Sequence, residues 1–232
     1  DGPIQATIYT VNTSNVATAV GLLPILAGSG IAAYACKFNS SGTYQGSIVA
    51  NGTTTSTELF TSIECDSQNN VYLGLQYYAS QGAAPTLYTV NTSNVATSVG
   101  TLVPGLTGLS TIAVCKFNNS FGYQYSLVIN GTGDDIVSSL RCDSEDNVYI
   151  GVQIYRGSAT IYYVNSSSVP TAIGSLSATR NTSTASAIVK FDKNGGYTPT
   201  STISTSTFAR LFDSDLNEYG NSVACDPFGS VY

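Results

Sequence analysis

The sequence predicts an all-β fold of three long tandem repeats with little or no helix. Three observations support this prediction. Ordered sequence landmarks recur three times, apolar and polar residues alternate with a period of two, and turn-forming residues separate the alternating stretches. The first landmark, Thr-Ile-Tyr-Thr-Val-Asn at 7–12, returns as closely related stretches at 86–91 and 160–165.

Two further landmarks follow in the same order in each repeat. The first is Lys-Phe-Asn or Lys-Phe-Asp, preceded by Cys or Val, at 36–39, 115–118 and 189–192. The second is Cys-Asp followed by Val-Tyr, at 65–72, 142–149 and 225–232. No linker or change in composition divides the chain, so we expect one domain spanning 1–232. Its repeats are predicted at about 7–85, 86–159 and 160–232, the third being cut short at its C-terminus.

The alternating stretches are typical of strands that are covered on both sides. In the stretch 71–78, Val71, Leu73, Leu75 and Tyr77 share one face, and the other face also lacks charge. The stretch 148–155 repeats the pattern. A sheet open to water would show charges on one face, so we expect sheets packed on both faces.

Turn-forming residues lie between the predicted strands. Asn39–Gly42, Asp66–Asn70 and Asn194–Gly196 each separate two strand-like stretches, as hairpin loops do. Each repeat therefore contains three predicted hairpins, which gives about eighteen strands in total.

The segment Gly220–Tyr232 resembles the β-propeller repeat of the pattern G-N-x-I-A-V-D-x-x-G-N-V-Y, of the SBBP and NHL type. Ser62–Tyr72 and Ser139–Tyr149 are similar to it, and Ala187–Gly195 resembles its preceding strand. The resemblance covers about half of each unit and implies a propeller-like arrangement. Each unit would then be an enlarged blade, or one and a half to two short blades. Such propellers carry no fixed chemistry.

Composition excludes several classes of function. Charged residues make up 9% of the chain, against roughly 25% in ordinary soluble domains. The net charge of −6 argues against nucleic acid or an anionic membrane as partner. No apolar run approaches the ~18 residues of a membrane span. The absence of Met and the start at Asp1 favour a processed or partial chain.

The five cysteines occupy repeat-equivalent positions. Because the chain has no His, a zinc site would need four cysteines from distant repeats, and we predict no metal or cofactor. The favoured disulfides are Cys36–Cys65 and Cys115–Cys142, worth roughly 3–4 kcal/mol each, with Cys225 unpaired or bonded externally. A rival scheme joins Cys65 to Cys115 and Cys36 to Cys225. In a further alternative all five are buried, reduced thiols.

The missing histidine also excludes the common nucleophilic triads, and we predict that the chain is not an enzyme. A glycosidase needs only two carboxylates. The candidates stand in no catalytic motif, and the sequence predicts that none is repeated across units; they are Glu58, Glu64, Asp134, Asp135, Glu145 and Glu218. Asp213–Glu218 has the alternating oxygens of a calcium loop without its central Gly or distal Glu, so we interpret it as a solvated hairpin loop.

Asn-x-Ser/Thr sequons provide the strongest functional indication. Chance supplies several in a chain rich in Ser and Thr, but most recur in register and fall at turns, where a glycan projects freely. We predict N-glycosylation at Asn12, Asn39, Asn51, Asn91, Asn118, Asn130, Asn165 and Asn181.

These features predict a secreted or cell-surface glycoprotein with a structural or adhesive role. It would be a self-assembling subunit of a coat, hair or filament. The alternative is a lectin-like propeller that binds carbohydrate on tyrosine platforms, and a carboxylate glycosidase is third. Core packing with the hydroxyl at the rim is the more usual role of the platform candidates, which are Tyr77, Tyr78, Tyr88, Tyr162 and Tyr163.

The sequence also predicts an open sheet edge, since the third repeat stops at Tyr232 where the first two continue their strand. Three arrangements would cover that edge. The segment Asp1–Thr10 could close a ring, a neighbouring subunit could add a strand, or the polypeptide could continue. We expect assembly or continuation.

Overall fold

The computed structural model describes residues 6–23, 30–52, 56–78, 84–105, 109–155, 157–177, 183–197, 207–226 and 229–232. Asn181 and the first five residues of the Asp1–Thr10 segment lie outside these ranges. The described residues form sixteen strands and no helix, which confirms the all-β prediction. The strands are β1 (Thr7–Val11), β2 (Ala17–Leu22), β3 (Ala33–Phe38), β4 (Tyr44–Asn51), β5 (Thr57–Cys65), β6 (Val71–Tyr78), β7 (Thr86–Val90), β8 (Ala96–Thr101), β9 (Ser110–Phe117), β10 (Tyr123–Gly131), β11 (Ile136–Cys142), β12 (Val148–Tyr155), β13 (Ser158–Asn165), β14 (Pro170–Ser177), β15 (Thr184–Phe191) and β16 (Phe208–Phe212).

Three kinds of antiparallel hairpin recur, as predicted. The Val-Asn hairpins are β1–β2, β7–β8 and β13–β14, and the Lys-Phe hairpins are β3–β4, β9–β10 and β15–β16. The Cys-Asp hairpins are β5–β6 and β11–β12. In the third repeat the Cys-Asp hairpin is reduced to one bridge between Cys225 and Val231, which accounts for sixteen strands instead of about eighteen.

Each repeat distributes its hairpins over different sheets. The central sheet has the order β14-β13-β10-β9-β6-β5, so it takes one hairpin from each of the three repeats. The first sheet is β3-β4-β7-β8, the third sheet is β11-β12-β15-β16, and β1–β2 stands alone. The six strands of one repeat are therefore not kept together in one sheet. The reason is that β6 and β12 find their next partners in the following repeat, on β9 and β15.

The central sheet is packed on both faces. One apolar cluster joins it to the first sheet and includes Leu73, Leu75 and Val128. Another joins it to the third sheet and includes Tyr72 and Leu127. The uncharged faces predicted for 71–78 are therefore both buried, and each fully buried Leu contributes roughly 1.5–3 kcal/mol.

A recurring glycine brings neighbouring hairpins of one repeat together. Gly100 on β8 lies under the ring of Tyr123, the first residue of β10, and a Cβ at this glycine would be 2.8 Å from the ring carbon Cε1. The pairs Gly21–Tyr44 and Gly174–Tyr197 make the same close approach. This contact fixes the Val-Asn hairpin of one sheet against the Lys-Phe hairpin of the next.

Candidate functional site

A buried lysine joins consecutive repeats within the central sheet. Lys116 Nζ on β9 lies 3.6 Å from Oδ2 of Asp66, which belongs to the preceding repeat. The same ammonium lies 4.9 Å from the ring centre of Tyr72 and donates a hydrogen bond of 2.8 Å to the Lys193 carbonyl. Tyr72 Oη in turn donates to Asp66 Oδ2 at 3.3 Å. Charge pairing, a cation–π contact and hydrogen bonds thus converge on one nitrogen.

The next pair of repeats has the same arrangement. Lys190 Nζ lies 3.6 Å from Asp143 Oδ2 and 5.1 Å from the Tyr149 ring centre, while Tyr149 Oη donates to Asp143 at 3.2 Å. We call this group, a lysine with the Asp-Tyr pair of the preceding repeat, the latch. The latch is hard to recognise in the sequence because its members come from different repeats. The available signal was a Lys and an Asp recurring in register in a chain with few charges.

The latch keeps its carboxylates ionised. Burial works against the charged form of Asp66, but hydrogen bonds from Asn70 and Gln68 and the Lys116 ammonium outweigh it, so the pKa of Asp66 lies below its ordinary value. The pKa of Asp143 is lowered by the same balance, with Lys190 as the cation.

The lysine of the first repeat has different surroundings. Lys37 Nζ donates to the Asn119 carbonyl at 2.7 Å and to Asn119 Oδ1 at 2.6 Å. It lines a cavity of about 470 Å³ between the first and central sheets, together with Cys65, Val71 and Phe121. The contact with Asn119 corresponds to that of Lys116 with Lys193.

The sequon asparagines shape the hairpin turns. In the β7–β8 turn, Asn91 Oδ1 accepts hydrogen bonds from the backbone N–H of Ser93 at 2.9 Å and of Val95 at 3.0 Å. Asn94 adopts the left-handed region with φ 61°. Asn12, Asn39, Asn118 and Asn165 bond their own turns in the same way.

The same turn also forms with aspartate. Asp66, Asp143 and Asp192 each accept from the backbone N–H groups two and four residues later, and Asp226 accepts from the N–H of Ser230. Such side-chain caps are a general property of Asn and Asp. Turn geometry therefore explains why Asn or Asp recurs, and the register of the sequons is not by itself a sign of glycosylation.

The residue two positions after the cap separates the two kinds of turn. It is Ser in all five Asn turns, at 14, 41, 93, 120 and 167. In the four Asp turns it is Gln68, Glu145, Asn194 or Phe228. The turn uses only the backbone N–H of this position, so its geometry does not require a hydroxyl. Because Oδ1 points into the turn, the amide nitrogen that would carry a glycan is directed away from it.

Two further sequons lie at strand ends. Asn51 ends β4 and Asn130 falls near the end of β10, and both are half-buried. Asn130 Nδ2 donates to the Pro104 carbonyl at 3.3 Å, and its Oδ1 accepts from Thr111 at 3.2 Å. These side chains are less accessible than those at the exposed turns of Asn12, Asn39 and Asn91.

Three of the candidate carboxylates do recur, contrary to the expectation from sequence. The backbone N–H of Glu58, Asp135 and Glu218 donates to equivalent carbonyls, those of Ile31, Ser110 and Thr184. Asp135 Oδ2 accepts from the Gly131 N–H at 2.8 Å and its Oδ1 from the Tyr155 N–H at 3.2 Å. These bonds hold a loop in place, which is a structural task. The equivalence of these three carboxylates is hard to recognise in the sequence because the loops around them differ in length.

The side chains of Glu64, Asp134 and Glu218 also have partners. Glu64 pairs with Arg141 at 3.1 Å, and Asp134 accepts from the Ser110 N–H at 2.9 Å. Within the candidate calcium loop, Glu218 accepts from Ser214, and Asn217 Oδ1 accepts from the Thr184 N–H at 2.9 Å. Among the described residues, no three Cys, Asp or Glu side chains converge to hold a metal ion.

All five cysteines are free thiols in the structure. Cys115 belongs to the cluster between the first and central sheets, whereas Cys142 packs against the cluster on the opposite side. The predicted Cys115–Cys142 disulfide is therefore not formed here, and neither is Cys36–Cys65. Cys36 and Cys65 are exposed, Cys115 is buried, and Cys142 and Cys225 are half-buried.

The tyrosines do not form one exposed platform. Tyr77 is fully buried and its hydroxyl donates to the Val103 carbonyl at 2.8 Å. Tyr163 stacks on Tyr125 with ring centres 5.4 Å apart, and both rings are part of the core or pack against it. Tyr162 packs against the opposite cluster. Core packing accounts for these three rings.

The part of the chain that the structure describes contains no helix long and apolar enough to span a membrane. No family model and no curated protein matches the chain.

Proposed function

We propose that this chain is a structural or adhesive subunit of an extracellular assembly, such as a surface coat, hair or filament. The observation that carries the proposal is the sharing of sheets between repeats. The central sheet takes hairpins from three consecutive repeats, and the first and third sheets each take hairpins from two, so the sheets join repeats to one another and an array of this kind extends by adding repeats. We also propose that the stacked sheets are arranged one after another in a propeller-like manner.

N-glycans on the exposed hairpin turns are the second part of the proposal. The pairing of Asn with Ser two residues later, absent from the Asp turns, supports it. Hydrated sugar would also account for how a chain with only 9% charged residues keeps its surface soluble. Glycosylation requires a secretory route, so the proposed location is the cell surface or the extracellular space.

Carbohydrate binding remains the alternative function. The observation in its favour is the open cavity beside Lys37, which has an aromatic wall at Phe121. Sugar rings stack on aromatic faces and hydrogen-bond to polar neighbours. The third candidate function, a glycosidase, would need two carboxylates that face each other across a substrate. The described candidate carboxylates instead make contacts that hold loops in place.

Expression in a eukaryotic secretory system tests the proposed function. Peptide mapping with and without deglycosylation should show glycan at Asn12, Asn39 and Asn91, and light scattering should show particle mass rising with protein concentration. Unmodified peptides at all three sites would refute the glycan proposal. A constant monomeric mass combined with saturable binding on a glycan array would favour the carbohydrate-binding alternative.

A further inference from the structure

On the basis of the proposed glycosylation, we infer that an exposed valine in each Val-Asn turn is the packing site for the first sugar of the glycan on that turn. In the second repeat this sugar is attached to Asn91 Nδ2 and lies on the side chain of Val95. The contact makes the glycan part of the folded hairpin, in addition to its effect on solubility.

An exposed valine lies four residues after the cap in all three Val-Asn turns. The exposed fractions are 55%, 55% and 53%, in the order Val16, Val95 and Val169. The second hairpin, β7–β8, contacts both neighbouring repeats, because the Leu22 N–H donates to Asn94 Oδ1 and the Thr101 N–H donates to Ser168 Oγ. Its valine is nevertheless as exposed as the other two. An adjoining repeat therefore does not cover this position.

The turn itself does not require an apolar residue there. The Asn39 and Asn118 turns have the same hydrogen bonds, but the residue four positions after the cap is Thr43 in one and Gly122 in the other. In the Asp turns the equivalent residue is Asn70, Asn147, Gly196 or Ser230. The turn uses only the backbone groups of this residue. Turn formation thus leaves the choice of valine to be explained by another contact.

Val95 lies beside the amide that would carry the glycan. The Asn91 N–H donates to the Val95 carbonyl at 3.2 Å, and the Val95 N–H donates to Asn91 Oδ1 at 3.0 Å. The two residues are therefore directly opposite each other, and Cβ atoms of such pairs are about 4.5–5.5 Å apart. Because Oδ1 is held in the turn, a sugar on Nδ2 starts next to the methyl groups of Val95.

The Asn91–Val95 pair lies on the outward face of the hairpin. Val90 is 1% exposed and belongs to the cluster between the first and central sheets. Successive side chains alternate between the two faces of a strand, so Asn91 comes to the face that is directed towards solvent. The next pair on that face is Thr89 and Thr97, and Thr97 is exposed. Methyl groups beside hydroxyls suit a sugar ring, which has apolar C–H groups and polar edges.

The first and third repeats have the same pair. The corresponding hydrogen bonds are 3.1 and 2.9 Å between Asn12 and Val16, and 3.3 and 3.0 Å between Asn165 and Val169. Each Val-Asn turn thus combines a sequon with an exposed valine opposite it. The Asn39 turn has a sequon without the valine, so its glycan lacks this apolar partner and the turn provides a matched control.

A thermodynamic cycle on secreted, glycosylated protein tests the packing. Ser93→Ala removes the glycan at Asn91, and Val95→Thr replaces a methyl group by a hydroxyl of similar size. We expect Ser93→Ala to lower the unfolding temperature by about 2–4 °C when Val95 is present, but by less than about 1 °C in the Val95→Thr chain. The same four chains made without glycan should show no coupling, which separates the sugar from direct effects of the substitutions.

The Asn39 turn supplies the control. Ser41→Ala removes its glycan and should change the unfolding temperature by less than about 1 °C, because Thr43 has a hydroxyl where Val95 has a methyl group. Thr43→Val should transfer the effect, so that Ser41→Ala then lowers the temperature as much as Ser93→Ala does in the unaltered chain. Both exchanged positions are exposed, so the exchanges leave the core unchanged.

Enzymatic trimming identifies the sugar that packs. Endoglycosidase H leaves one sugar on each glycosylated asparagine, and the trimmed protein should keep its unfolding temperature within about 1 °C. Complete removal by an amidase converts each such asparagine to aspartate, which keeps the turn but should lower the temperature. An equal fall after both treatments would contradict the role of the first sugar.

The outcomes separate this inference from the proposed function. If peptide mapping shows glycan at Asn91 but Ser93→Ala has equal effects with and without Val95, the inference is overturned and the chain is still a glycoprotein. Unmodified Asn91 overturns both the inference and the proposed glycan at this turn. If Val95→Thr instead abolishes self-association of unglycosylated protein in light scattering, the valine contacts another chain and the inference is also overturned. Coupling at Asn91 that is absent at Asn39 supports both.

Discussion

At the scale of single residues, the chain concentrates its few buried charges at the contacts between repeats. Lys116 and Lys190 are buried, and each lies against an aspartate and a tyrosine of the preceding repeat. A buried ion pair adds little net stability compared with apolar packing, but it penalises any register that leaves one partner alone. The latch therefore serves chiefly to fix which strand pairs with which.

Replacing Lys116 by Met tests this role. Asp66 would lose its counter-charge while buried, so we expect the free energy of unfolding to fall by about 3 kcal/mol. Lys193→Met removes an exposed ammonium and should change the free energy by less than about 0.5 kcal/mol. Urea unfolding at pH 7 measures both, and equal losses would contradict the assigned role of Lys116.

Asp135 should give the protein an unusual dependence on pH. Burial raises the pKa of Asp135 from 3.8 to about 7, against hydrogen bonds from Tyr155 and Gly131 that favour the charged form. A carboxyl with a raised pKa stabilises the fold below about pH 4, and that contribution is lost as the pH rises through about 7. The stability advantage of the unaltered chain over Asp135→Asn should therefore shrink between pH 4 and pH 8, by at most roughly 4 kcal/mol. Urea unfolding across this range checks it, and parallel pH profiles would contradict it.

At the scale of elements, one turn design serves all three kinds of hairpin. A cap residue accepts two backbone hydrogen bonds, and a residue three positions later, such as Asn94 or Gly195, takes a positive φ. The structure needs only a side-chain oxygen at the cap. The turn therefore does not determine whether the cap is Asn or Asp, and this choice can serve another purpose.

The turn and the sequon can be separated at Asn91. Asn91→Ala removes both hydrogen bonds and should destabilise unglycosylated protein by about 1–2 kcal/mol. Asn91→Asp keeps the acceptor, and Ser93→Ala keeps the backbone donor, so both should stay within about 0.5 kcal/mol of the unaltered chain.

All three variants should lose glycan at this site when secreted, because each breaks the sequon. Thermal unfolding and peptide mapping give the two measurements. If Asn91→Asp were as unstable as Asn91→Ala, the turn would not depend on the oxygen atom.

The hairpins were predictable from sequence because their signals are local. Alternation in 71–78 and the turn residues at 66–70 lie next to each other in the chain. The assignment of hairpins to sheets was not predictable, since β6 pairs with β9 across an intervening Val-Asn hairpin. The equivalence of Glu58 and Asp135 was not predictable, because the loops that contain them differ in length. The latch was hidden because Lys116 and Asp66 are far apart in sequence.

At the scale of the whole molecule, the stack of sheets has two unlike ends. Among the described residues, β3 is an edge strand of the first sheet and carries Lys37, whereas β16 is an edge strand of the third sheet. Interlocked repeats resist separation because the central sheet joins all three of them and the first and third sheets each join two. We propose a load-bearing or covering role for an array of this kind, in which the proposed glycans would keep its sides from associating.

Electron microscopy of the purified chain over a range of concentrations tests the central claim most directly. The account predicts unbranched rods or closed rings that are one chain wide, growing in length or number with concentration while their cross-section stays constant. Single-chain particles of unchanging size at every concentration would contradict it.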